Sequence, residues 1–121
     1  MANNFNAVAL GSTARIATNN SGDLTNSGHA GCHVIIDVTA ISATPSVVPT
    51  VQGKDSVSGK YYTLLVGAAI TATGTTVLRV HPNLTPAANL TVNDILPSKF
   101  RILMTHADAD SITYSVGVSL V

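Results

Sequence analysis

The C-terminal run "SITYSVGVSLV" alternates Ile112, Tyr114, Val116, Val118 and Leu120 with Ser111, Thr113, Ser115, Gly117 and Ser119. A period of two marks a strand with one face on a core and the other in solvent. The same alternation, with apolar residues on both faces, recurs upstream. "SKFRILMTH" sets Phe100, Ile102 and Met104 against Arg101, Leu103 and Thr105, and "TTVLRVHP" sets Leu78 and Val80 against Val77, Arg79 and His81. "SGKYYTLLVGAAI" brings Tyr61, Tyr62, Leu64, Leu65 and Val66 after a turn at Ser58-Gly59, and "CHVIIDVTAI" is rich in β-branched Val34, Ile35, Ile36, Val38 and Ile41. In "SVVPTVQGKD" the alternating Val47, Pro49 and Val51 predict a strand, and the proline places it at a sheet edge or a bulge, since it cannot donate to a ladder. The expected core is Val34, Ile36, Val38, Leu64, Val66, Leu78, Val80, Ile102, Met104, Tyr114 and Val116.

Six or more short strands separated by Gly, Pro and Asn turns, without a strong amphipathic helix, predict an all-β fold. The expected architecture is a single antiparallel β-sandwich over residues 32–121, of jelly-roll, Greek-key or Ig-like topology. "NLTPAANLTVNDILPS", from Asn83 to Ser98 and bracketed by Pro82 and Pro97, reads as a long connection crossing the sandwich. No internal repeat interrupts this plan.

Residues 1–31 differ in kind. "RIATNNSGDLTNSGHAG" offers little to bury beyond Ile16 and Leu24, and its Asn, Ser, Asp and Gly favour turns over ladders. Ordering a backbone costs roughly 1–2 kcal/mol per residue, more than Phe5, Val8, Leu10, Ile16 and Leu24 offset within one monomer. The segment is therefore expected to be an extended polar N-terminal arm whose five apolar anchors pack on a partner chain.

Composition narrows the function. Charged residues are 10% of the 121 and hydrophobic ones 45%, while six Lys and Arg balance six Asp, for a formal net charge of zero. A neutral chain lacks the basic field a nucleic-acid binder needs, and it has little colloidal repulsion as a free monomer. Assembly would cover such a surface. No apolar stretch approaches the ~20 residues that span a bilayer, and the start lacks a basic region of the kind that opens a signal peptide. No membrane partner is expected, and the protein is expected to be used in a cytoplasm or carried out of it inside something larger. The single Cys32 allows no intrachain disulfide and no zinc site built on a cysteine pair, and its apolar setting predicts a buried, inert thiol.

The strongest candidate chemistry is "THADADS", where His106, Asp108 and Asp110 stand at alternate positions. Extended residues two apart lie roughly 6.6–6.8 Å from each other, too far to share an ion. A curled loop between two strands instead uses the aspartates as acceptors for its own amides. The chain has no glutamate, and neither a metalloprotease helix motif nor a nucleophile elbow occurs. No catalytic residue, metal ligand or cofactor is expected. "QGKDSVSGKYY" reads as a solvated hairpin tip carrying Lys54, Asp55 and Lys60, without the spacing of a phosphate-binding loop.

The block from His33 to Val121 resembles a family of small tailed-phage and prophage proteins. The shared elements are "IIDVT" (Ile35 to Thr39), the proline-to-"SGKYYT-L" stretch (Pro45 to Leu64), "TGTTVLRV-P" (Thr73 to Pro82) and "HADADSITYSVG" (His106 to Gly117), over about three quarters of the chain. The first thirty residues match poorly, as a partner-specific arm would. The resemblance implies a non-enzymatic virion structural protein, foremost a head decoration (cement) protein on the capsid surface, made in the cytoplasm of a bacterial host. It implies the major capsid protein and sister subunits as partners, with a homotrimer favoured, and carries no catalytic residues. A tail or head-tail connector part is the alternative, as is a carbohydrate-binding sandwich, for which three Tyr, two Phe and no Trp make a thin stacking platform.

Overall fold

A computed structural model describes residues 5–121, with Phe5 represented by its backbone. The chain is all-β. Its strands are β1 (Phe5–Arg15), β2 (Asn19–Asn20), β3 (Leu24–Thr25), β4 (Cys32–Ile41), β5 (Val47–Lys54), β6 (Tyr61–Val66), β7 (Gly74–Val80), β8 (Thr91–Val92), β9 (Lys99–His106) and β10 (Ile112–Leu120). One sheet runs β1-β10-β4-β7-β8; the other runs β2-β9-β5-β6, with β3 also on β9. Every pair is antiparallel except β7 with β8, a parallel pair the expected antiparallel plan did not contain.

The two strand orders reveal how the sandwich is built. β1 and β2, β10 and β9, β4 and β5, and β7 and β6 occupy matching places in the two sheets, and each couple is joined directly in the chain. Four arches therefore stand side by side. The registers put their loops, residues 16–18, 42–46, 67–73 and 107–111, at one end, here the arch end. The opposite, open end holds the β5–β6 hairpin tip, residues 26–31, the long 81–98 connection and Val121.

Alternating apolar residues fill the space between the sheets. β10 buries Ile112, Tyr114, Val116, Val118 and Leu120; β9 buries Phe100, Ile102 and Met104; β4 buries Cys32, Val34, Ile36 and Val38; and β7 buries Leu78 and Val80. Of the expected core, Leu64 and Val66 differ. Leu65 faces inward instead, Leu64 is only partly buried and Val66 is exposed. The register explains it: Val51 pairs with Leu65 but Gln52 with Thr63, so Leu64 is an extra residue that shifts the alternation by one.

Of the two places expected for Pro49, the edge is corrected, because β5 lies between β9 and β6, while the β5–β6 pairing does carry a bulge, between Val51 and Gln52. β6 pairing stops at Thr50, next to the proline, and the Pro49 carbonyl accepts from Gly67 N at 2.8 Å as the chain turns away. On an antiparallel strand the nitrogen and carbonyl of one residue face the same side, so the missing donor points where the neighbouring strand has ended.

The largest correction concerns residues 1–31, expected as an arm apart from a sandwich beginning at residue 32. From Phe5 onward this segment is woven into both sheets. β1 pairs with β10 from Phe5–Leu120 to Arg15–Ile112, with two register shifts that each add a residue to β1. β2 and β3 line the edge of β9. Here the polar composition is the reason the segment fits: Thr18 Oγ1 accepts from His106 N at 3.0 Å and Ser21 Oγ from Ile102 N at 2.9 Å, so side chains replace ladder bonds. Leu10 and Leu24 pack on the chain's own core, whereas Val8 and Ile16 are 78% and 60% exposed. The Phe5 side chain, the fifth expected anchor, lies outside the described residues.

Candidate functional site

The residues of "THADADS" do not converge. Asp110 Oδ2 accepts from Thr44 N at 3.1 Å, and Asp108 Oδ1 accepts from Asp110 N at 3.1 Å, so both carboxylates serve loop amides. His106, the last residue of β9, turns the other way. Its Nε2 lies 2.9 Å from the Tyr114 hydroxyl, which donates to Asn19 Oδ1 at 3.3 Å. That chain of contacts joins β9 and β2 of one sheet to β10 of the other. Arg15 closes it from outside, with its guanidinium carbon 4.6 Å from the Tyr114 ring centroid, while Nη1 donates to Tyr114 O and Nη2 to Gly11 O, each at 2.6 Å. Burial pushes the Tyr114 phenol up and, aided by Arg15, holds His106 below its ordinary value. Among the described residues no group of three His, Cys or Asp side chains could hold a metal ion.

The open end is tied by a residue the sequence did not flag. Asn26 is buried, and its Nδ2 donates to His29 O at 2.7 Å and Leu96 O at 3.0 Å, while Oδ1 accepts from His29 N at 2.9 Å. Leu96, from the long connection, is buried as a plug beneath. Beside this knot a cleft of about 220 Å³ opens between the sheets, lined by Ala7, Leu24, Phe100, Val118 and Leu120, with Asp23 and Thr25 also on its wall. Cys32 is buried too, and loss of hydration pushes its thiol up to about 12, far from a reactive thiolate.

Two sheet faces carry the remaining groups. On the first sheet, Val8 pairs with Gly117, Gly117 with Ile35 and Ile35 with Val77, which makes an outward apolar row across four strands. A parallel row runs Asn6, Ser119, His33 and Arg79. Partial burial, Arg79 and His81 all hold the His33 ring below its ordinary value.

The second sheet bears a compact polar cluster. Lys54 Nζ lies 2.6 Å from Asp23 Oδ2, and the Tyr61 hydroxyl donates to Asp23 Oδ1. Arg101 stacks on Tyr61, its guanidinium carbon 3.6 Å from the ring centroid, and its Nε donates to Gln52 Oε1 at 2.7 Å. The bonds from Lys54 and Tyr61 hold Asp23 below the usual carboxylate range, and the bond to Asp23 raises Lys54 in turn. The expected hairpin tip thus loses Lys54 to this cluster. Asp55 folds inward on the turn, accepting from Val57 N at 3.1 Å and Ser58 Oγ at 2.7 Å.

Only register could have found the cluster. Gln52 and Arg101 are direct partners although β5 and β9 lie far apart in sequence, and Lys54 and Tyr61 are direct partners across the β5–β6 hairpin. Tyr62, the other tyrosine of the pair, has its ring over Gly53, where any Cβ would meet it at 2.5 Å. Neither tyrosine therefore offers two open faces. The sequence matches no family model, and neither a curated protein nor a solved structure matches the chain.

Proposed function

We propose that this chain is a non-enzymatic bacteriophage virion structural protein that decorates and stabilises the capsid shell. The observation that carries the reading is where its outward-facing groups lie. They spread over open sheet faces, in the Val8–Gly117–Ile35–Val77 row and the Arg101 cluster, whereas the histidine and aspartates of the 106–110 segment serve the fold itself. Flat faces suit a covering subunit, whose hold on a lattice comes from many modest contacts multiplied by copy number. Zero net charge and the phage-like motifs point the same way.

Sister subunits and the major capsid protein are the proposed partners, and a trimer matches the threefold positions of a shell. Val8 and Ile16, exposed on the outer sheet face and at the arch end, are the anchors still available to them. Among the described residues no helix is long and apolar enough to cross a membrane.

Pelleting the purified chain with undecorated shells tests the proposal. Saturable co-sedimentation that weakens in Val8→Asp is expected. A chain that stays in the supernatant at every ratio sinks the idea. Gold labelling on tails or connectors, with heads bare, would move the chain to that part of the virion instead.

A further inference from the structure

The outer face of the second sheet fixes one guanidinium while leaving most of its donors unused. Arg101 lies flat on Tyr61 at 3.6 Å, and Gln52 Oε1 holds its Nε at 2.7 Å. Both neighbours are placed by strand pairing: Gln52 is the direct partner of Arg101 on β5, and Tyr61 is the direct partner of Lys54 on β6. Asp23 then locks the tyrosine by accepting its hydroxyl. Arginine has five N–H donors. Among the described residues the Nη groups of Arg101 donate to no protein atom, which leaves the fork they form unused.

Charge defines what the fork can take. Lys54 and Arg101 bring two positive charges and Asp23 one negative, a surplus of one within the cluster. We propose that Arg101 is a binding site for a single carboxylate, an Asp or Glu side chain of a protein partner, gripped by the paired Nη groups. A planar two-oxygen anion matches a planar fork, and a monoanion matches the surplus. A nucleic-acid backbone would need a line of cations, which this neutral chain lacks. A free small carboxylate is held by the fork alone and binds this open face weakly. A protein that covers Tyr61 and Arg101 excludes water, which strengthens the pair. The stack and the Gln52 bond lower the cost of binding, because the side chain is already held in the receiving pose.

The assignment goes beyond the shell reading and does not need it, since anion binding and shell pelleting can fail separately. Acetate and inorganic phosphate, titrated into the full chain, are the probes, with NMR following the Arg101 Nε–Hε signal and the Gln52 and Tyr61 amides. Acetate is expected to shift these signals saturably. R101K, which keeps the charge and loses the fork, should abolish the response at Gln52 and Tyr61. Gln52→Ala, which frees the guanidinium, should weaken acetate several-fold, and Lys60→Ala should leave it unchanged. Non-saturating acetate shifts in the unmodified chain, or the same response in R101K, would overturn the site. Saturation by phosphate alone would overturn the carboxylate assignment.

Discussion

Tyr114 is fully buried, yet its hydroxyl needs partners, and it finds them on the opposite sheet in Asn19 and His106. As the phenol donates to Asn19 Oδ1, the His106 Nε2–H donates to the phenol oxygen, and Nδ1 is buried with no hydrogen-bond partner among the described residues. Protonating that ring would add a charge where hydration has been lost and where Arg15 is already near. Both His106 and His33 sit below their ordinary 6.5 in the folded chain. The unfolded chain therefore binds protons first as pH falls. Their contribution to stability is whole above about 6.5 and is lost as pH drops through the lower folded values. Asp23 and Asp55, lowered from 3.8, add a second loss in stronger acid. Thermal melts between about pH 7 and pH 5 should fall steeply for the unmodified chain and less for His106→Asn. Parallel curves would show that His106 does not carry the effect.

At the scale of the element, one extra residue decides which side chains of β6 meet the core. Leu64 is the bulged position, so Leu65 pairs with Val51 and turns inward while Val66 faces out at 43% exposure. Burial is worth energy only where it happens. Leu65→Ala should cost about 2–4 kcal/mol in urea unfolding, through lost transfer energy and the cavity left behind. Val66→Ala should stay within about 0.5 kcal/mol. Equal costs would mean that the bulge lies elsewhere. The same attention to edges explains β1, whose two register shifts bend it where a straight outer strand would invite pairing with another chain.

For the whole molecule, the N-terminal segment closes the sandwich. β1 covers the outer edge of β10, β2 and β3 cover β9, and Asn26 ties the open end to Leu96. Removing residues 1–31 should therefore unfold the domain, with loss of cooperative melting and of the strand signal in circular dichroism. A truncated chain that still melts cooperatively near the full-length temperature would restore the detached arm expected from composition.

Period-two alternation in β4, β7, β9 and β10 was legible residue by residue, because a strand buried on one face must repeat every second position. That local rule gave the all-β class and nine of the core residues, from Val34 to Val116. The sequence also determined the loop role of Asp108 and Asp110, since turn chemistry acts over two or three residues. What lay beyond it was everything set by partners across the strands. The bulge at Leu64, the place of Pro49 inside a sheet and the incorporation of residues 5–31 all depend on which strand lies alongside. So does the cluster around Arg101, whose members come from β5, β6, β9 and the residue before β3. Hydrophobic pattern fixes which face of a strand is buried; only cross-strand register fixes which side chains meet, and register is a property of the folded chain.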